Sequence, residues 1–85
     1  MKLTKKQIIE YAELFECELN SNPNWRLGQT AFNVLCDIHP LLAEKVRENS
    51  DIDPFYVDKR IPKFFEFIMK ANDYKHIAKR LPKFK

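Results

Sequence analysis

Cys36 and His39 stand three positions apart, a spacing that makes two side chains neighbours on a helix. A thiol beside an imidazole is a pairing from which cysteine nucleophiles are built. A working site also needs a group that orients the base and donors for the developing oxyanion. The sequence supplies neither: no glycine-rich turn flanks the pair, and Cys17 and His76 lie far along the chain. The simpler reading is a core thiol at Cys36 and, at His39, a histidine near a helix C-terminus, where positive charge is favourable. No catalytic residue is assigned, and the chain reads as a non-enzyme.

Metal and phosphate chemistry fail on the same ground. A metal centre needs three or four convergent ligands, and Cys36 with His39 gives two. Asp51, Asp53 and Asp58 are acidic like a calcium loop, but the central glycine and closing glutamate of such a loop are missing. These aspartates read as caps of local turns. Gly28 is the single glycine of the chain, so no glycine-rich phosphate cradle exists. A glycine inside a helix costs about 1 kcal/mol against alanine; close approach of another helix or of a bulky ring would explain it. No cofactor and no metal are expected.

Two stretches remain as candidate contact surfaces. In Trp25-Arg26-Leu27-Gly28-Gln29-Thr30-Ala31-Phe32-Asn33, the polar groups Arg26, Gln29 and Asn33 fall at helical spacing beside Trp25. Tryptophan and arginine are enriched among residues that carry interface energy. The competing reading packs Trp25 inward and lets the polar groups satisfy neighbouring loops, Arg26 meeting the Asp51–Asp58 loop for example. The second stretch is the C-terminal tail. Residues 1–73 hold ten basic and twelve acidic side chains, a net of −2, whereas residues 74–85 hold Lys75, Lys79, Arg80, Lys83 and Lys85 and no acid, a net of +5. Lys75 and Lys79, four apart, share a helical face and can pair with phosphates in a salt-dependent way; the competing reading is a solvated tail.

The elements that must position these groups follow from periodicity. Thr4 and Gln7 have the spacing of a capping box, with Leu3 and Ile8 as a hydrophobic staple around it. Ile8, Tyr11, Ala12, Phe15 and Leu19 then recur at the helical period, predicting a first helix over residues 5–20. Asn20-Ser21-Asn22-Pro23-Asn24 breaks it. A second helix is expected from Trp25, capped by Asn24, to His39, because the residue before Pro40 avoids the helical region. Pro40 suits the first turn of a third helix over residues 40–48. With Lys45 and Arg47 beside Glu44 and Glu48, that helix makes a poor recognition helix for a helix-turn-helix. Asn49 to Asp58 reads as a loop in which a helical turn packs Phe55 inward, a brief strand over Phe55-Tyr56-Val57 being the alternative. A fourth helix runs from Lys59 or Ile61 to Ala71, with Pro62 confined to its first turn, and Tyr74 to Leu81 forms a last short helix.

Composition agrees with a single helical domain spanning residues 1–85. The chain has 85 residues, of which 45% are hydrophobic and 13% aromatic. Each large ring buries about 150–250 Å², which compensates for the modest core of so short a chain. One glycine is too few for the turns of a sheet protein. The expected fold is therefore all-α, a small bundle of four to five short helices. Its core is expected at Ile8, Tyr11, Phe15, Leu27, Ala31, Val34, Leu35, Ile38, Leu42, Val46, Phe55, Ile61, Phe64, Phe65 and Ile68. No apolar run reaches the ~20 residues of a membrane span, and none of signal length follows the basic N-terminus. The reading is a cytoplasmic protein with Cys17 and Cys36 reduced and buried.

Several of these residues also carry a resemblance. Asn24-Trp25-Arg26-Leu27-Gly28-Gln29, Phe32-Asn33-Val34-Leu35, Pro40, Leu42-Ala43, Val46-Arg47, Asp53-Pro54-Phe55-Tyr56, Asp58, Ile61-Pro62 and Phe64-Phe65 resemble a pattern in small proteins of phages, prophages and other bacterial mobile elements. The similarity spans roughly residues 23–68. Its most specific pieces are Trp-Arg-x-Gly-Gln and Asp-Pro-Phe-Tyr. The chain departs from the pattern at Glu48-Asn49-Ser50, in place of Arg-Gly-Thr. The resemblance implies no established activity. It implies a setting, the cytoplasm of a bacterial host, in which small proteins often act by binding a host protein. The expected function is thus a non-enzymatic protein–protein interaction module, an accessory or inhibitor acting on a host protein. The alternative is a small nucleic-acid-binding protein working through the basic tail, and homo-oligomerisation is a third expectation.

Overall fold

The computed structural model describes residues 1–70 and Ile77. Their elements are α1 (Lys5–Ser21), α2 (Leu27–Ile38), α3 (Pro40–Arg47), a 3-10 turn (Asp58–Arg60) and α4 (Ile61–Ile68). Helices make up the architecture, and no strand occurs among the described residues: the fold is all-α. Ile77 is helical as well. The rest of the expected Tyr74–Leu81 helix lies outside the described residues, as do Lys75, Lys79, Arg80, Lys83 and Lys85.

The start of α1 is the one the sequence predicts. The Gln7 N–H donates to Thr4 Oγ1 at 3.2 Å and the Thr4 N–H to Gln7 Oε1 at 3.0 Å, closing the capping box. The staple residues Leu3 and Ile8 are both buried. At the other end the Asn22 N–H donates to the Glu18 carbonyl at 2.9 Å, satisfying one of the carbonyls a helix leaves open.

His39 serves two helices at once. Its N–H closes α2 on the Leu35 carbonyl at 2.8 Å, and its Nδ1 accepts from the Leu42 N–H at 3.1 Å, capping α3 behind Pro40. The expected histidine at the C-terminal end of α2 is observed, and its side chain also caps the helix that follows.

The core gathers rings from α1 and α4. Tyr11, Phe15, Phe64 and Phe65 are fully buried. Tyr11 stands edge-on to Phe15 and to Phe65, with centroids 5.6 and 6.1 Å apart, a favourable aromatic geometry. The Tyr11 hydroxyl donates to the Ala31 carbonyl of α2 at 2.7 Å, so the buried phenol is satisfied. Burial pushes its pKa well above the ordinary value. The expected core is observed, with three differences of degree: Leu27, Ile38 and Phe55 pack against it but remain half-buried. Ile52 and Ile77 join it without any periodic signal to announce them.

Two boundaries differ from the expectation. α4 stops at Ile68 instead of Ala71 because the N-terminus takes over its carbonyls. Lys2 Nζ donates to the carbonyls of Glu66 and Phe67, at 2.6 and 3.2 Å. The Leu3 N–H donates to that of Ile68 at 2.7 Å. A cation at the C-terminal end of a helix also complements its dipole. The second difference is at α2, which begins at Leu27 with Arg26 in the capping position and no cap from Asn24.

Cys17 is exposed and Cys36 half-buried, and both are free thiols. The expectation that both are buried is met only in part at Cys36 and fails at Cys17, which lies two positions from Phe15, on the side of α1 turned away from the apolar stripe. Among the described residues, no helix is long and apolar enough to cross a membrane.

Candidate interaction surface

The reason that α2 needs no local cap is a contact across the chain. The Gly28 N–H donates to Asp58 Oδ1 at 2.9 Å. Asp58 opens the 3-10 turn before α4, so a carboxylate from thirty positions away does the work expected of Asn24. It places a negative charge at the amide end of α2, where the helix dipole favours it. An aspartate capping role was legible in the sequence; the helix it caps was not.

Gly28 explains itself in the same place. A Cβ there would overlap the Pro54 carbonyl oxygen, lie 3.0 Å from the Pro54 carbonyl carbon and 2.9 Å from Asp58 Oδ1. The neighbour that demands glycine is therefore a loop backbone, not a helix or a ring as the sequence suggested. Glycine lets the two backbones approach this closely.

The loop between α3 and the 3-10 turn is held from inside as well. Asn49 Oδ1 accepts from the Asp51 N–H at 3.1 Å, and Asp53 Oδ1 from the Phe55 N–H at 3.0 Å. The capping residues are thus Asn49 and Asp53; Asp51 is the residue capped. The Val57 N–H closes a turn on the Pro54 carbonyl at 3.1 Å. Phe55 packs half-buried, edge-on to Phe32 at 5.9 Å. No helix or strand forms over Phe55-Tyr56-Val57; the inward packing of Phe55 holds, but in a bend.

Arg26 bridges these two parts. Its carbonyl accepts from both the N–H and the hydroxyl of buried Thr30, at 3.0 and 3.1 Å. Its guanidinium donates to the Phe55 carbonyl and lies over the Tyr56 ring, 5.9 Å from the centroid, within cation–π range. Tyr56 in turn stands edge-on to Phe55 at 4.8 Å. At the far end of the same row of rings, the Arg47 guanidinium lies 5.4 Å over Phe32. The result is a ladder, Arg47–Phe32–Phe55–Tyr56–Arg26, that runs from a buried ring to an exposed one. Tyr56 is 78% exposed.

Of the four residues singled out in sequence, Arg26 belongs to this surface, and Trp25 precedes it, half-buried. Gln29 and Asn33 are half-buried on α2, and no hydrogen bond of the loop reaches either side chain. Arg26 does meet the Asp51–Asp58 loop, as the plainer reading held, yet it stays exposed there. The residue the sequence reading missed is Tyr56. Its signal was present in the Asp-Pro-Phe-Tyr piece, but only the fold shows that piece packing on Trp-Arg-x-Gly-Gln.

No hydrogen bond joins Cys36 to His39 among the described residues. His39 Nδ1 is committed to Leu42. Burial pushes the Cys36 thiol up, the carboxylates of Asp37 and Asp53 add to this, and Arg47 opposes it. A raised thiol pKa leaves less of the reactive thiolate. Among the described residues, no group of three or more His, Cys, Asp or Glu side chains is placed to hold a metal ion. Compared with protein-family models, with curated proteins and with solved structures, the chain matches none.

Proposed function

We propose that the protein is a non-enzymatic protein–protein interaction module, acting through the surface of Trp25, Arg26 and Tyr56. The observation that carries this reading is Tyr56. It is a large ring, 78% exposed, on a loop locked by Asp58, Asp53, Arg26 and the close approach at Gly28. A ring held this way loses little conformational freedom on binding, which lowers the cost of association. Tyrosine, tryptophan and arginine are also the side chains most enriched at binding hot spots. The resemblance to mobile-element proteins supports a bacterial cytoplasmic setting and a host protein as partner, with an accessory or inhibitory role.

The test is affinity capture from bacterial lysate with the full chain and with a Tyr56→Ser variant. A stoichiometric partner recovered by the parent and lost by the variant is the expected result. No partner, or equal recovery by both, counts against the reading.

The charge asymmetry supports a second reading, nucleic-acid binding through Lys75, Lys79, Arg80, Lys83 and Lys85. It predicts mobility-shift binding that weakens steeply with salt. Because Ile77 is buried in the core, deleting residues 74–85 would disturb the fold. Replacing the five basic residues by glutamine is the cleaner test. Binding unchanged by that replacement removes the second reading.

A further inference from the structure

The loop resolves its charges in an uneven way. Two of the three aspartates here accept from backbone amides, Asp53 from the Phe55 N–H at 3.0 Å and Asp58 from the Gly28 N–H at 2.9 Å, while Asp51 is exposed. The guanidinium groups around the loop are turned to carbonyls and ring faces: Arg26 to the Phe55 carbonyl and the Tyr56 ring, Arg60 to the Asp53 carbonyl at 3.3 Å, Arg47 to the Phe32 ring. Among the described residues, no carboxylate pairs with any of these three arginines. Lys45 and Glu48, on either side of Arg47 at the end of α3, form an ion pair at 4.0 Å.

Arg26 and Arg47 are both exposed, and Arg26 is the one that stands beside the exposed Tyr56 ring. A guanidinium has five N–H donors in a planar fork, and the structure gives Arg26 one hydrogen bond, to Phe55. With that bond and the Tyr56 ring as its contacts, the side chain stays exposed. A carboxylate is the group whose geometry matches such a fork bidentately. The neighbouring exposed face of Tyr56 is apolar. We infer that this surface takes an acidic segment of a partner protein, with a carboxylate seated on Arg26 and an adjacent apolar side chain packed on Tyr56. The inference rests on the proposed interaction module and specifies the chemistry of what it binds.

The test is selection from a displayed library of random peptides on the full chain, followed by affinity measurement of the enriched peptides. Enriched sequences are expected to carry Asp or Glu next to an apolar residue. Their affinity should fall about tenfold or more when that acid is replaced by its amide, and similarly on Arg26→Gln, the scale of losing a charge-assisted hydrogen bond. Arg26→Lys, which keeps the charge but not the fork, should recover only part of the loss. Melting temperatures confirm that each variant is folded, and Tyr56→Ser supplies a substitution at an exposed position if Arg26 variants unfold. Peptides that bind at Tyr56 but carry no acid overturn the acidic partner and leave the interaction surface standing. Absence of any enrichment overturns both. Self-association that depends on Arg26, seen by light scattering, assigns the surface to a second copy and also overturns the inference.

Discussion

Asp58 Oδ1 accepts the Gly28 N–H at 2.9 Å, and by this one bond the turn before α4 caps the start of α2. The same approach sets the Pro54 carbonyl against the Gly28 Cα. Position 28 is therefore fixed by its neighbour and not by helical preference.

Gly28→Ala tests this directly. In an unconstrained helix the substitution stabilises by about 1 kcal/mol. Here the added methyl meets the Pro54 carbonyl and the Asp58 carboxylate, and overpacking of this kind costs about 1–3 kcal/mol. Urea denaturation should show a less stable protein. A variant more stable than the parent would show that the loop does not press on α2.

His39→Ala removes the acceptor for the Leu42 N–H and should cost about 1 kcal/mol, the usual loss for a helix N-cap. His39→Asn restores a side-chain acceptor and should recover most of it. The comparison is read from the denaturation midpoints of the three proteins. Equal midpoints for His39→Ala and the parent would remove His39 as the cap of α3.

Tyr11 sets an alkaline limit. Its phenol is buried and donates to Ala31, and its pKa lies well above the ordinary value because of that burial. The folded chain holds this proton more tightly than the unfolded chain. The resulting stability is complete below the unfolded pKa of about 10 and is lost as pH rises through that value toward the folded one. Tyr11→Phe gives up one hydrogen bond, about 0.5–1.5 kcal/mol at neutral pH. It should also flatten the loss of stability above about pH 10. Denaturation of both proteins across the alkaline range checks it; parallel curves would contradict it.

Ile77 belongs to the core. It is fully buried, so Ile77→Ala should cost about 2–5 kcal/mol, close to the roughly 3–5 kcal/mol expected for Phe65→Ala in the ring cluster. Thermal unfolding of the two variants measures both. A melting temperature unchanged by Ile77→Ala would show that the residue is not part of the core.

What the sequence determined by itself was local and periodic. Thr4 and Gln7 announce the start of α1, His39-Pro40 marks the junction of α2 and α3, and apolar residues at helical intervals name nearly all of the core. These follow from interactions within a few residues and from one stripe per helix, so spacing alone contains them. The tertiary structure decided what depends on contacts between distant segments. Asp58 displaced Asn24 as the cap of α2, Lys2 and Leu3 ended α4 early, and Ile52 and Ile77 were drawn into the core without a pattern of their own. The surface formed by Arg26 and Tyr56 is of the second kind. Its two pieces were visible as motifs, but a motif carries no direction in space, and only the close approach of the Pro54 carbonyl to Gly28 sets one piece against the other.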